Sequence, residues 1–143
     1  MMQSVYCYMT NEPANTKTIN MKQILTLAAV SGILAVALGA FGAHGLKTII
    51  TPDMLEVYKT GVQYQFYHTF ALLAVGILMH FNPSKALKWS AALFITGIVL
   101  FSGSLYALTL TNIKILGAIT PFGGVAFIAG WGLLAAHCRK LQR

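Results

Sequence analysis

Two histidines, His44 and His68, adjoin long apolar runs and are the side chains best suited to acid–base or ligand chemistry in this sequence. Gln65 and Tyr64 precede His68 by three and four positions, so these side chains share one face of a helix. Histidines on facing helices can ligate haem or a metal ion, as in cytochrome bundles. A histidine can also serve as the base for a serine nucleophile, provided that an acid orients it.

Further polar side chains occur in the later apolar runs and, with the two histidines and Gln65, make up a candidate polar cluster. They are Ser102, Ser104, Tyr106 and Thr120. The three acids of the chain, Glu12, Asp53 and Glu56, all lie outside the apolar runs. The runs therefore lack the acid that a catalytic triad or a carboxylate-driven pump would need. Phosphate loops, dinucleotide fingerprints and zinc spacings are also missing. We therefore predict no catalytic residue, no metal site and no cofactor.

The elements that would position these side chains are membrane spans. Hydrophobic residues make up 57% of the 143-residue chain and charged residues only 9%, whereas soluble domains average about 25% charged residues. The composition therefore indicates lipid as the surrounding solvent. The net charge of +7 comes from cations placed between apolar runs, which is typical of topology signals in membrane proteins and not of a nucleic-acid-binding surface.

Four apolar runs predict an all-α integral membrane bundle of four transmembrane helices within 21–143. The predicted spans are 24–43, 62–81, 89–110 and 115–136. The first run could be a signal peptide, but its twenty residues are longer than a usual signal core and match the roughly 30 Å of the hydrocarbon layer. We expect residues 1–20 to form a disordered tail, with Met21 as the natural start.

Two segments leave local alternatives open. The stretch Leu46–Thr60 contains a good helix start at Thr51-Pro52-Asp53, and it forms either a short interfacial helix or the first turns of the second span. Pro121 lies inside the fourth predicted span, where we expect it to kink the helix.

Small residues along the spans predict surfaces on which helices pack closely. The expected packing positions are Gly39, Gly42, Ala43, Gly97, Gly103, Gly123 and Gly124. Such surfaces would also suit contacts with a second copy of the chain or with other membrane proteins.

Charge asymmetry predicts that both termini face the cytoplasm. Of the ten Lys and Arg residues, seven then lie on the cytoplasmic side and three (Lys47, Lys59 and Lys114) on the other. In this topology the candidate polar cluster falls in the outer half of the bundle. It would either hold the helices together or form a site around His44 and His68.

Several segments taken together resemble the YgdD-like family of small bacterial inner-membrane proteins. The resemblance rests on Gly39–Leu46, Tyr64-Gln65 with His68, Phe101–Tyr106, and Thr120–Gly124 with Gly130-Trp131. It covers about residues 21–136 and implies a four-span protein of the bacterial inner membrane, without implying any catalytic residue.

Two functional hypotheses follow. The first is a non-enzymatic multi-pass membrane protein, an accessory or small-solute-handling bundle. The alternative is a histidine-based cofactor-binding or redox protein that uses His44 and His68.

Overall fold

The computed structural model describes residues 19–141, and these residues form a bundle of four antiparallel helices joined by short loops. We name them α1 (Met21–Leu46), α2 (Pro52–Phe81), α3 (Lys85–Thr111) and α4 (Thr120–Lys140), and a short 3₁₀ helix, Lys114–Ala118, precedes α4. The all-α bundle predicted from the sequence is therefore confirmed. The expectation of a disordered tail falls almost wholly outside the described residues.

Side-chain caps explain why three of the helices start where they do. Asn20 accepts a hydrogen bond from the backbone of Gln23, whose side chain accepts one from the backbone of Asn20, so the two residues form a reciprocal capping box before α1. Thr51 caps α2 ahead of Pro52, and Ser84 caps α3. These contacts satisfy backbone donors that helix ends otherwise leave unpaired.

The helix α2 starts ten residues earlier than the predicted second span. It runs unbroken through 30 residues, so the helix start at Thr51-Pro52 begins α2 itself and no separate interfacial helix forms. The polar residues around Gln65 consequently lie near the middle of a helix, and not at its beginning.

The helices α1 and α2 pack against each other in antiparallel orientation along their whole length. Tyr58 covers Gly42 near one end, and Leu25 and Ile24 cover Gly76 near the other. In between, Ser31 hydrogen-bonds Thr69. By length and composition, α1, α3 and the segment Lys114–Lys140 are apolar enough to cross a membrane. Because the more polar α2 lies alongside α1 throughout, it crosses with it.

Glycines bring α3 and α4 to backbone distance. A Cβ atom on Gly123 would lie 2.5 Å from the backbone nitrogen of Phe101. Gly130 lies under the ring of Phe94, and its carbonyl accepts a hydrogen bond of 2.9 Å from the buried Ser90 hydroxyl. The helix α3 widens into a π-helical turn at Ile98–Ser102, beside this close approach.

The structure corrects the prediction for Pro121. This residue occupies the first turn of α4, where a helix needs no backbone donor and the ring fits the helical φ angle. The preceding chain forms the separate 3₁₀ helix, so the predicted fourth span is interrupted before the proline. Pro121 therefore starts a helix and does not kink one.

Candidate functional site

Gln65 joins three helices near the middle of the bundle. Its side chain is 4% exposed. The amide nitrogen donates a hydrogen bond of 3.0 Å to the backbone carbonyl of Ser31 on α1. The amide oxygen accepts a hydrogen bond of 2.8 Å from the Tyr106 hydroxyl on α3. Since unpaired polar groups are costly at membrane depth, this arrangement ties α1, α2 and α3 together.

Hydroxyl groups add further hydrogen bonds along the α1–α2 interface, and we call them together with the Gln65 bonds the Gln65 layer. The hydroxyls of Ser31 and Thr69 are 2.6 Å apart. Towards the α1–α2 loop, the Tyr58 hydroxyl donates to the carbonyl of Leu38 at 3.0 Å. The ring of Tyr58 also packs against that of Tyr106, with the centroids 5.0 Å apart.

His68 lies next to this layer, among aromatic rings from three helices. The imidazole stacks on Phe127 of α4, with a centroid distance of 3.3 Å and an angle of 8° between the ring planes. Phe94 of α3 and Tyr64 of α2 also contact it. His68 is 6% exposed, and its ring is one of the links between α2 and α4.

The hydrogen-bond partners of His68 define its tautomer. The indole nitrogen of Trp131 can only donate, and it lies 3.3 Å from Nε2 of His68. The carbonyl of Tyr64 can only accept, and it lies 2.8 Å from Nδ1. Both bonds form together only if Nδ1 carries the proton and Nε2 is bare. His68 is therefore held as a neutral imidazole with both nitrogens engaged.

His44 does not join His68. It is exposed in the π-helical turn Gly42–Leu46 that ends α1. Gly32 lies at the level of Thr69, the chain neighbour of His68, because a Cβ atom on Gly32 would lie 3.7 Å from Cγ2 of Thr69. The twelve residues from Gly32 to His44 correspond to roughly 18 Å along the helix. The two histidines therefore cannot hold one haem or one metal ion, and the alternative hypothesis gains no support.

Ser104 and Thr120 form a separate polar pair towards the α3–α4 connection. Their hydroxyl oxygens are 2.8 Å apart, and the Ser104 hydroxyl donates to the carbonyl of Phe101. Ser102 lies in the π-helical turn and is buried. Its hydroxyl has no hydrogen-bond partner among residues 19–141. The seven residues of the candidate polar cluster thus occupy several levels of the bundle.

The structure adds residues that the sequence analysis did not assign to the cluster. Ser31 is one of them: its hydroxyl bonds to that of Thr69, and a hydroxyl in an apolar span signals such an interhelical hydrogen bond. Trp131 contributes the indole donor that fixes His68. His137, near the end of α4, is 5% exposed, with Nδ1 2.9 Å from the Ser84 hydroxyl.

The predicted packing positions divide into close contacts and open ones. Gly42 packs under Tyr58, Gly97 under Phe127, and Gly123 against the backbone of Phe101. Gly39 and Gly124 make ordinary van der Waals contacts, with Val62 and Phe101 respectively. By contrast, Ala43 is exposed, and a Cβ atom on Gly103 would meet nothing within 4 Å among the described residues.

Comparisons with known proteins place this chain in a family. A family model described as "Protein of unknown function (DUF423)" matches residues 38–124. The chain is 51% identical over 121 residues to the UPF0382 membrane protein YwdK of Bacillus subtilis, which covers 84% of this chain and 98% of YwdK. No solved structure matches the chain.

Two further relatives support the same assignment. UPF0382 membrane protein SSP2132 of Staphylococcus saprophyticus is 48% identical over 121 residues, covering 85% of this chain and all of that protein. The UPF0382 inner membrane protein YgdD of Escherichia coli is 42% identical over 120 residues, covering 84% of this chain and 92% of YgdD. The chain therefore belongs to the DUF423 family of small membrane proteins, which includes YgdD and YwdK.

Proposed function

We propose that this protein is a non-enzymatic accessory protein of the membrane, in which buried polar side chains fix the arrangement of the four helices. The observation that carries the proposal is that these side chains are hydrogen-bonded to other groups of the protein. Gln65 bonds to α1 and α3 at once, and both nitrogens of His68 are engaged. Polar groups that are committed to one another hold helices together and are not free to bind a substrate.

The placement of the acids supports a non-enzymatic role. Asp53 and Glu56 lie exposed in the first turns of α2, and Glu56 pairs with Lys59 at 2.7 Å. Neither carboxylate can orient a histidine near the middle of the bundle, so within residues 19–141 His68 lacks the acid that a serine–histidine mechanism requires.

Replacement of His68 and His44 by glutamine, singly and together, tests the proposal. We expect the His68→Gln protein to lose thermal stability and accumulate to a lower level, because its bonds to Trp131 and Tyr64 are disturbed. His44→Gln, on an exposed residue, should match the wild type. A His68→Gln protein that is stable but fails to support growth under membrane stress would contradict the proposal and favour a small-solute site.

We infer that the protein resides in a bacterial inner membrane with both termini in the cytoplasm. Support comes from the inner-membrane relative YgdD and from the seven cations against three on the two sides of the bundle. Cys138, exposed near the end of α4, is a built-in reporter. In a Cys7→Ser variant, a membrane-impermeant maleimide should label inverted vesicles and not intact spheroplasts. Labelling of spheroplasts would reverse the orientation.

A further inference from the structure

Polar groups also occur on the outside of α2, at a depth where lipid would surround them. The residues Lys59, Gln63, Tyr67, Phe70, Ala74 and Ile77 follow one another at intervals of three or four, and all are exposed. We call this stripe the α2 outer face. It points away from the Gln65 layer, which is buried on the opposite side of the same helix.

Gln63 and Tyr67 lie within the hydrocarbon layer. Val62, next to Gln63, packs on Gly39, and Thr69, close to Tyr67, bonds to Ser31. Gly39 and Ser31 are both within roughly 8 Å of the midpoint of α1 along its axis, whereas the hydrocarbon layer extends about 15 Å to either side of its centre. Neither side chain can reach the headgroup region from this depth.

These two side chains satisfy each other only in part. The Gln63 amide nitrogen donates a hydrogen bond of 2.6 Å to the Tyr67 hydroxyl oxygen. Three groups of the pair have no hydrogen-bond partner among residues 19–141: the second amide N–H of Gln63, its amide oxygen, and the O–H of Tyr67. Lipid offers no partner at this depth, so exposing these groups to it costs free energy.

We propose that the α2 outer face is a dimer interface, in which Gln63 and Tyr67 pair with the same residues of a second copy of this chain. The choice of a second copy follows from hydrogen-bond complementarity. Each patch has unpaired donors and an unpaired acceptor, so a two-fold axis through it brings the amide N–H of each copy to the amide oxygen of the other. Amide side chains are known to drive such association between transmembrane helices.

Cysteine cross-linking in native membranes tests the interface. In a Cys7→Ser, Cys138→Ser background, we would oxidise a Phe70→Cys variant, which leaves Gln63 in place two turns away on the same stripe. Ile33→Cys on α1 and Ile128→Cys on α4 are matched controls, since both positions are exposed, at 69% and 74%. We expect a cross-linked dimer for Phe70→Cys and monomers for both controls. Monomer for all three, or a Phe70→Cys adduct of heteromeric mass, would overturn the proposal.

The contribution of the amide is tested by Gln63→Leu and Tyr67→Phe in the Phe70→Cys background. We expect Gln63→Leu to weaken dimerisation roughly tenfold, as two interhelical amide bonds would account for. Tyr67→Phe removes only the phenol O–H and should weaken it less. Because both side chains are exposed, the monomer fold should persist, as circular dichroism would check. Undiminished cross-linking in both variants would overturn the proposal.

Discussion

At the scale of single residues, Gln65 and His68 show how one polar side chain can join several helices. Gln65 uses both ends of its amide, one to the backbone of α1 and one to a side chain of α3. His68 has an obligate donor on one nitrogen and an obligate acceptor on the other, so its protonation state follows from its neighbours. The polar residue types were evident from the sequence, but their partners depend on helix rotation and register.

A double-mutant cycle on Gln65 and Tyr106 measures the first of these links. Gln65→Leu leaves the half-buried Tyr106 hydroxyl without its acceptor, so we expect a loss of roughly 1–3 kcal/mol in the free energy of unfolding. The coupling energy with Tyr106→Phe should be about 0.6 kcal/mol, within the range measured for membrane proteins. Unfolding in mixed micelles provides the measurement, and a coupling energy of zero would contradict the observed bond.

The tautomer of His68 can be observed directly. Nitrogen-15 NMR of selectively labelled protein at neutral pH should show a protonated Nδ1 and a bare Nε2 for this residue. In a Trp131→Phe variant the same tautomer should persist, because the Tyr64 carbonyl still accepts from Nδ1. A protonated Nε2 in the wild type would be incompatible with the Trp131 hydrogen bond.

At the scale of helices, close approach depends on where a glycine faces backbone and where it faces open space. Gly123 meets the Phe101 backbone, which cannot move aside as a flexible side chain can. Gly132 lies on the same helix, but a Cβ atom there would meet nothing within 4 Å among the described residues. The sequence shows both as glycines in an apolar helix and cannot tell them apart.

Alanine substitution at these two glycines should therefore have opposite effects. We expect Gly123→Ala to lower the free energy of unfolding by about 1–3 kcal/mol, because α3 and α4 must separate. Gly132→Ala should raise stability by up to about 1 kcal/mol, since alanine favours the helix. Thermal unfolding in detergent compares them, and equal effects would argue against the α3–α4 contact.

At the scale of the whole molecule, composition and apolar periodicity were sufficient to predict the number and order of the helices. They left the start of α2 open between a separate interfacial helix and the first turns of the second span, because the first ten residues of α2 are too polar to be recognised as part of a span. Pro121 was misassigned because a proline in an apolar run suits either the interior or the first turn of a helix. The candidate polar cluster was predicted only as a set of residue types, because its members from different helices meet through packing that no local pattern encodes.

The antiparallel packing of α1 and α2 has a consequence for biogenesis. The helix α2 is too polar to partition into a bilayer as readily as its neighbours, but Gln65 and Thr69 find their partners on α1, which emerges first from the ribosome. We therefore expect the two helices to insert together as one helical hairpin, in which α1 supplies hydrogen-bond partners to the polar side chains of α2. If α1 is replaced by an oligoleucine helix of equal length, α2 should fail to insert into the membrane. Glycosylation mapping in microsomes would measure this.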